Sequence, residues 1–186
     1  MVGWLLAEAE SAALAEKLLA DSITKQNIDR DTLTVHADNG SSMASKPVAF
    51  LLADLGVTKT HSRPHTSNDN PYSEAQFKTL KYRPDFPDRF GSLADARTFC
   101  QRFFTWYNTE HYHSGIGYHH PIDVHYGRAS TARAGRAEVL TDAYTRNPER
   151  FVRKHPEPPA LPTTAWINKP DEPDTHQESS IDSMNP

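Results

Sequence analysis

The stretch Thr34-Val35-His36-Ala37-Asp38-Asn39-Gly40-Ser41 decides how the chain folds. Residues 32–37 alternate and are rich in β-formers, so they predict a strand that runs into a turn at Asp38-Asn39-Gly40. A second stretch, Asn70-Pro71-Tyr72-Ser73-Glu74-Ala75-Gln76-Phe77, reads as the first turn of a helix. Lys81 follows Glu74 by seven residues, two helical turns, so both project from one face. One acid at a strand end, a second on a helix and a cation two turns on suit metal-assisted phosphoryl transfer. Hard divalent cations take carboxylate oxygens, and a lysine can meet a phosphate. The plain alternatives stand beside this reading. Asp-Asn-Gly is often only a turn, a glutamate at a helix start often only favours the helix dipole, and Lys81 can be a solvated lysine.

Working outward, residues 9–27 carry Leu14, Leu18, Leu19 and Ile23 at helical spacing. Residues 45–55 predict a short helix, with Ser45 to cap it, Pro47 in its first turn and Gly56 at its end. Residues 57–60 predict a second strand. Residues 62–72 hold almost no apolar side chains and read as a mobile loop. The helix over 73–83 then carries Glu74, with Phe77 and Leu80 as its expected buried side. Residues 92–107 form the clearest helix: Ser92 and Asp95 make a capping-box pattern, and Leu93, Ala96, Phe99, Cys100, Phe103, Trp106 and Tyr107 cover one broad face. Further helices are expected over 121–126 and 131–147. The order strand, helix, strand, loop, helix is that of an α/β layer fold.

These residues resemble the integrase catalytic core of DDE transposases, the insertion-sequence-three family and its retroviral integrase relatives. The resemblance rests on the Asp38 and Glu74 stretches with 35 residues between the two acids, on Lys81, on Asn70-Pro71, and on Trp106-Tyr107-Asn108 followed by His111-Tyr112-His113-Ser114-Gly115-Ile116-Gly117. It covers roughly residues 1–130. It implies a ribonuclease-H-like core, a mixed sheet with flanking helices, and DNA strand cleavage and transfer in transposition. Asp38 and Glu74 would be the catalytic, metal-binding acids of a two-metal Mg2+ (or Mn2+) site. Lys81, Asn39 and Asn70 would meet DNA. Where the family commonly has an arginine, this chain has Tyr112, so no phosphate contact is carried over to that position.

The family's third acid, an aspartate on an earlier first strand, has no counterpart in this sequence. Residues 1–7 read as the end of a strand whose hairpin neighbour is missing, and Glu8, Glu10 and Asp31 read as poor substitutes for the acid. The expectation is a truncated core that is inactive alone. The alternatives are a non-catalytic remnant that binds DNA or full-length transposase, and a ribonuclease-H-like nuclease. Expected partners are DNA, both element ends and target, with full-length transposase or a second copy of the chain.

Composition divides the chain further. Of 186 residues, 37% are hydrophobic and the mean hydropathy is −0.70, low for a fully packed chain. The formal charge of −4 sits in the C-terminal part: residues 155–186 hold Glu157, Asp171, Glu172, Asp174, Glu178 and Asp182 against Lys169 alone. Three regions follow: a truncated core over 1–127, a basic helical extension over 128–154, and a disordered, acidic, proline-rich tail over 155–186. The basic extension reads equally as a solvated helix face or a contact to the DNA backbone. His111, His113, His119, His120 and His125 lack a partnering cysteine pair and read as a polar loop rather than a zinc site. His36 reads as packed or as a support to Asp38. The single cysteine, Cys100, rules out an internal disulfide and fits a cytoplasmic location. No apolar run approaches the roughly 20 residues of a membrane span.

Overall fold

The computed structural model describes residues 1–63 and 69–167. Its helices are α1 (Ala12–Lys25), α2 (Lys46–Asp54), α3 (Pro71–Lys81), α4 (Leu93–Thr109), α5 (Pro121–His125) and α6 (Ala129–Arg146), with strands β1 (Thr34–Ala37) and β2 (Thr58–His61). Among the described residues the sheet is the parallel pair β1–β2, in the register Thr34↔Thr58, Val35↔Lys59, His36↔Thr60, Ala37↔His61. Parallel strands need a crossover, and α2 supplies it. Gly56 makes the return from α2 possible. It sits just past the helix C-cap at φ +65°, a backbone that side chains rarely adopt, and its carbonyl accepts from Asp31 N at 3.0 Å.

Two hydrophobic cores form. The first is aliphatic: Ile23 of α1, Val48 and Leu52 of α2, and Val57 before β2 are buried, with Leu19, Leu33 and Val35 packed on them. Burying each such side chain contributes about 1.5–3 kcal/mol. The second is aromatic: Phe99, Phe103 and Tyr107 of α4, flanked by Leu80, Phe86, Phe90 and Trp106. Phe86 meets Phe90 and Phe99 edge-on at 5.6 and 5.5 Å, the arrangement that ring quadrupoles favour. Arg83 lies over the Trp106 ring at 4.1 Å and pairs with Asp85 at 2.7 Å. Hydrogen bonding from Arg83 holds the Asp85 carboxyl below its ordinary range. The Ser92 hydroxyl caps α4 by accepting from Asp95 N at 3.1 Å, as its sequence predicts.

Several expectations need correction. Residues 1–7 form no strand, because no ladder partner stands beside them among the described residues. Instead Trp4 packs on Phe104 at 5.3 Å and Met1 exchanges hydrogen bonds with Asn108. Ser45 occupies the N-cap of α2, but its buried hydroxyl makes no cap bond. Phe77 is 60% exposed rather than buried. The aromatic cluster reaches only the last turn of α3, where Leu80 meets it, so a shared helix face is not a shared burial. In the C-terminal region, residues 155–167 have no helix or strand, yet Pro158 is buried and the His155 ring lies 4.8 Å from Tyr144. The rest of the acidic tail, from residue 168, lies outside the described residues. No described helix is long and apolar enough to cross a membrane.

Candidate functional site

β1 delivers Asp38 to the point where the chain leaves the sheet. The Asp38 side chain is exposed, and Oδ1 accepts from Gly40 N at 3.3 Å, closing the turn that the sequence signals. Gly40 has no left-handed backbone, and a side chain there would ask the exposed Asp38 carboxylate to give by a few tenths of an ångström at most. A Cβ there would stand 3.2 Å from Asp38 Oδ1 and 3.8 Å from Glu10 Oε1. The Glu10 carboxylate therefore flanks the same glycine as Asp38, a proximity that its position before α1 gives no sign of in the sequence. Two neighbouring groups fix this corner. His61, at the end of β2, holds the Asp38 carbonyl through Nδ1 at 3.0 Å. Lys59 reaches back to the Met43 carbonyl and anchors the loop that follows.

Glu74 lies in the first turn of α3, exposed, with Pro71 at the helix start. Asn70 is the residue before the helix and its side chain makes no cap bond. Its carbonyl accepts from Glu74 N at 3.4 Å. Lys81 is exposed on the last turn of the same continuous helix, so the seven-residue spacing keeps it on the Glu74 face. Asn39 is exposed beside Asp38. Among the described residues, neither the Asp38 nor the Glu74 carboxylate has a cationic partner, and no group of three His, Cys, Asp or Glu side chains converges to hold a metal.

What links the strand end to α3 is polar, and the sequence reading missed most of it. His36 bridges from β1 to Thr60 Oγ1 of β2 through Nδ1 and to the Asp69 carbonyl through Nε2, each at 2.9 Å. Asp69 is buried and forms a two-pronged pair with Arg63: Arg63 Nε and Nη2 donate to its two oxygens, each at 2.9 Å, and Arg63 N donates at 2.8 Å. The hydrogen bonds that Asp69 accepts raise the Arg63 pKa above its ordinary value. The loop expected over 62–72 is thus tied at both described ends, while residues 64–68 lie outside the description. One signal was present: Arg63 and Asp69 are oppositely charged at the two ends of one loop.

The histidine-rich stretch does not form a solvated loop throughout. His113 and His119 form an isolated antiparallel bridge, and His119 is 1% exposed with neither ring nitrogen hydrogen-bonded among the described residues. Burial, then the nearby Arg136, lowers its pKa. His111 stacks on Tyr107 at 5.2 Å, and burial and His113 lower its pKa too.

The family model for the integrase core domain matches residues 55–121, a span that includes Asn70, Glu74 and Lys81 but not Asp38 or Asn39. Together with the two likenesses that follow, this match supports an integrase/transposase catalytic core. It is 30% identical over 127 residues to the transposase for insertion sequence element IS904 of Lactococcus lactis subsp. lactis (strain IL1403), covering 66% of this chain and 49% of that protein. The chain thus spans about half the length of that relative. Its fold matches the catalytic core domain of BIV integrase at a TM-score of 0.50 and 21% identity, over 69% of this chain and 79% of that one. This places the fold in the ribonuclease-H-like class that the residue pattern implies. A simian T-cell lymphotropic virus intasome in complex with the PP2A regulatory subunit B56 gamma aligns at a TM-score of 0.40 and 20% identity, over 56% of this chain and 36% of that chain.

Proposed function

We propose that the chain acts on DNA as a transposase core, with Asp38 and Glu74 as its metal-binding acids. The carrying observation is the pairing of the integrase-core match over residues 55–121 with two exposed carboxylates that have no cationic partner among the described residues. Asp38 offers an oxygen at the end of β1, and Glu74 offers one from the first turn of α3. Hard, exposed oxygen donors of this kind suit Mg2+ or Mn2+. A divalent cation held there would supply Lewis-acid chemistry toward a phosphate and toward the attacking water or 3′-hydroxyl. Lys81 meets the DNA phosphate from the same helix face as Glu74, while Asn39 and Asn70 contact the strand beside each acid. His36, His61 and the Arg63–Asp69 pair act at one remove, holding the strand end and the helix start in place.

Cleavage and strand transfer in this reading require a third carboxylate to join Asp38 and Glu74. DNA, both element ends and target, is the substrate; the partner that completes the site is a longer transposase that carries the third acid, while a second copy of the chain would be a partner in assembly alone. The test is calorimetric titration of Mn2+ into the chain, Asp38→Asn and Glu74→Gln, together with a strand-nicking assay in the presence and absence of longer transposase. Weaker Mn2+ binding in both variants is the expected result. Unchanged Mn2+ binding in both removes the two acids from the metal site and leaves a DNA-binding remnant. Cleavage of RNA–DNA hybrids without strand joining transfers the chain to the nuclease reading.

A further inference from the structure

A groove of about 610 Å³ runs between α6, the turn after α4 and the C-terminal strap. Tyr112, Tyr118, Arg136, Val139, Glu157 and Pro158 line it. Its volume is that of a small-molecule site, and its walls are mostly apolar. Tyr118 is the unusual member. It is 52% exposed, makes no ring contact among the described residues, and sits at φ +57° directly after Gly117 at φ +66°. A bulky residue in the left-handed region is strained, and such strain persists only where the surroundings enforce it. Here they do: Tyr118 N donates to the His113 carbonyl at 3.0 Å, and the His113–His119 bridge closes the turn around it. The backbone therefore holds an unstacked aromatic ring out at the mouth of an apolar groove.

The cation in the groove wall points to an anion attached to whatever enters. Arg136 lies over the Tyr112 ring at 5.3 Å, and Tyr112 is backed on His120 at 4.6 Å. A planar face beside a guanidinium group is the chemistry that takes a nucleobase with its phosphate. We infer that this groove binds an unpaired nucleobase of a DNA strand, stacked on Tyr118 with its phosphate at Arg136. This rests on the DNA reading of the core and places a second contact away from the Asp38–Glu74 site. Glu157 also lines the groove, and a carboxylate there can accept from the N–H donors of a base.

The full chain is tested at low salt by fluorescence anisotropy with a short single strand and the matching duplex, and by 2-aminopurine quenching within the single strand. Tyr118→Ala is expected to weaken single-strand binding about ten-fold and abolish the quenching. Duplex binding stays unchanged, Tyr118→Phe retains both signals, and Tyr126→Ala, at an exposed tyrosine outside the groove, changes neither. Circular dichroism checks that each variant is folded. Wild-type single-strand affinity in Tyr118→Ala overturns the proposal while leaving the DNA reading intact. So does loss of the quenching to a competing proline-rich peptide that binds with the same dependence on Tyr118 but tighter than the oligonucleotide. Absence of any salt-dependent DNA binding by the wild-type chain overturns both.

Discussion

The half of the molecule that carries Asp38 and the half that carries Glu74 are built differently. Asp38 stands on a strand end backed by an aliphatic core, in which Val48 and Leu52 are essentially solvent-free. Glu74 stands on a helix with no buried residue, whose Leu80, in the last turn, packs on the aromatic core. The first acid is therefore placed by packing beneath the strand together with the His61 and Lys59 bonds, and the second by a short polar chain, from His36 through the Asp69 backbone and the Arg63 pair. Packing fixes a position through many weak contacts, whereas a polar link fixes it through a few directional ones. On the proposed DNA reading, the second half can open to admit a strand without disturbing the first.

The largest effects should come from breaking each core in turn. Phe103→Ala removes a ring that is 3% exposed and should cost about 3–5 kcal/mol, and Leu52→Ala about 2–5 kcal/mol. Denaturant unfolding measures both. Hydrogen exchange then separates the halves: Leu52→Ala should release the amides of α1 and α2 first, and Phe103→Ala those of α4. Equal loss of protection everywhere in both variants would show one cooperative core and end the comparison. Next in size is Asp69→Ala, which leaves Arg63 without its carboxylate and frees the start of α3. A loss of about 1–3 kcal/mol is expected, with faster exchange confined to α3. Unchanged exchange there would mean that Leu80, not the polar link, holds the helix. Smaller still, Ser92→Ala removes the cap of α4 and should cost about 1 kcal/mol, seen as a lowered midpoint with the aromatic half affected first.

The same difference explains what the sequence could say. The α/β order, the helix over Ser92 and its cap, the return at Gly56 and the placing of Asp38 at a strand end were all legible, because each follows from local periodicity or from one residue's backbone preference. Phe77 was misjudged because a helical repeat names a face without saying how far along the helix that face is covered. Residues 1–7 have strand-like composition, but a strand exists only through its neighbour. The Glu10–Asp38 proximity and the His36–Asp69 link were not legible, since each joins residues far apart through tertiary geometry that no local pattern encodes.

His119 gives the smallest test, and it asks whether the aromatic half tolerates opening as easily as its polar link suggests. The ring is buried with both nitrogens unbonded among the described residues. Arg136, Arg133 and His120 act against a positive charge, and only Asp123 favours one. Its folded-state pKa is therefore lowered, so the unfolded chain binds more protons than the folded one as pH drops below about 6.5. The contribution to stability is full above that value and shrinks as pH falls toward the lowered folded-state pKa. His111 has the same direction of shift and adds to the slope. Thermal unfolding between about pH 7.5 and 5.5 should show the midpoint falling by about 1–3 °C. In His119→Leu the slope should diminish, and the midpoint at the upper pH should not fall, because the substitution removes two unsatisfied buried nitrogens. A slope unchanged by that substitution would place the proton elsewhere. A lower midpoint at the upper pH would mean that the imidazole is hydrogen-bonded in solution, and that the aromatic half is held more firmly than α3 itself.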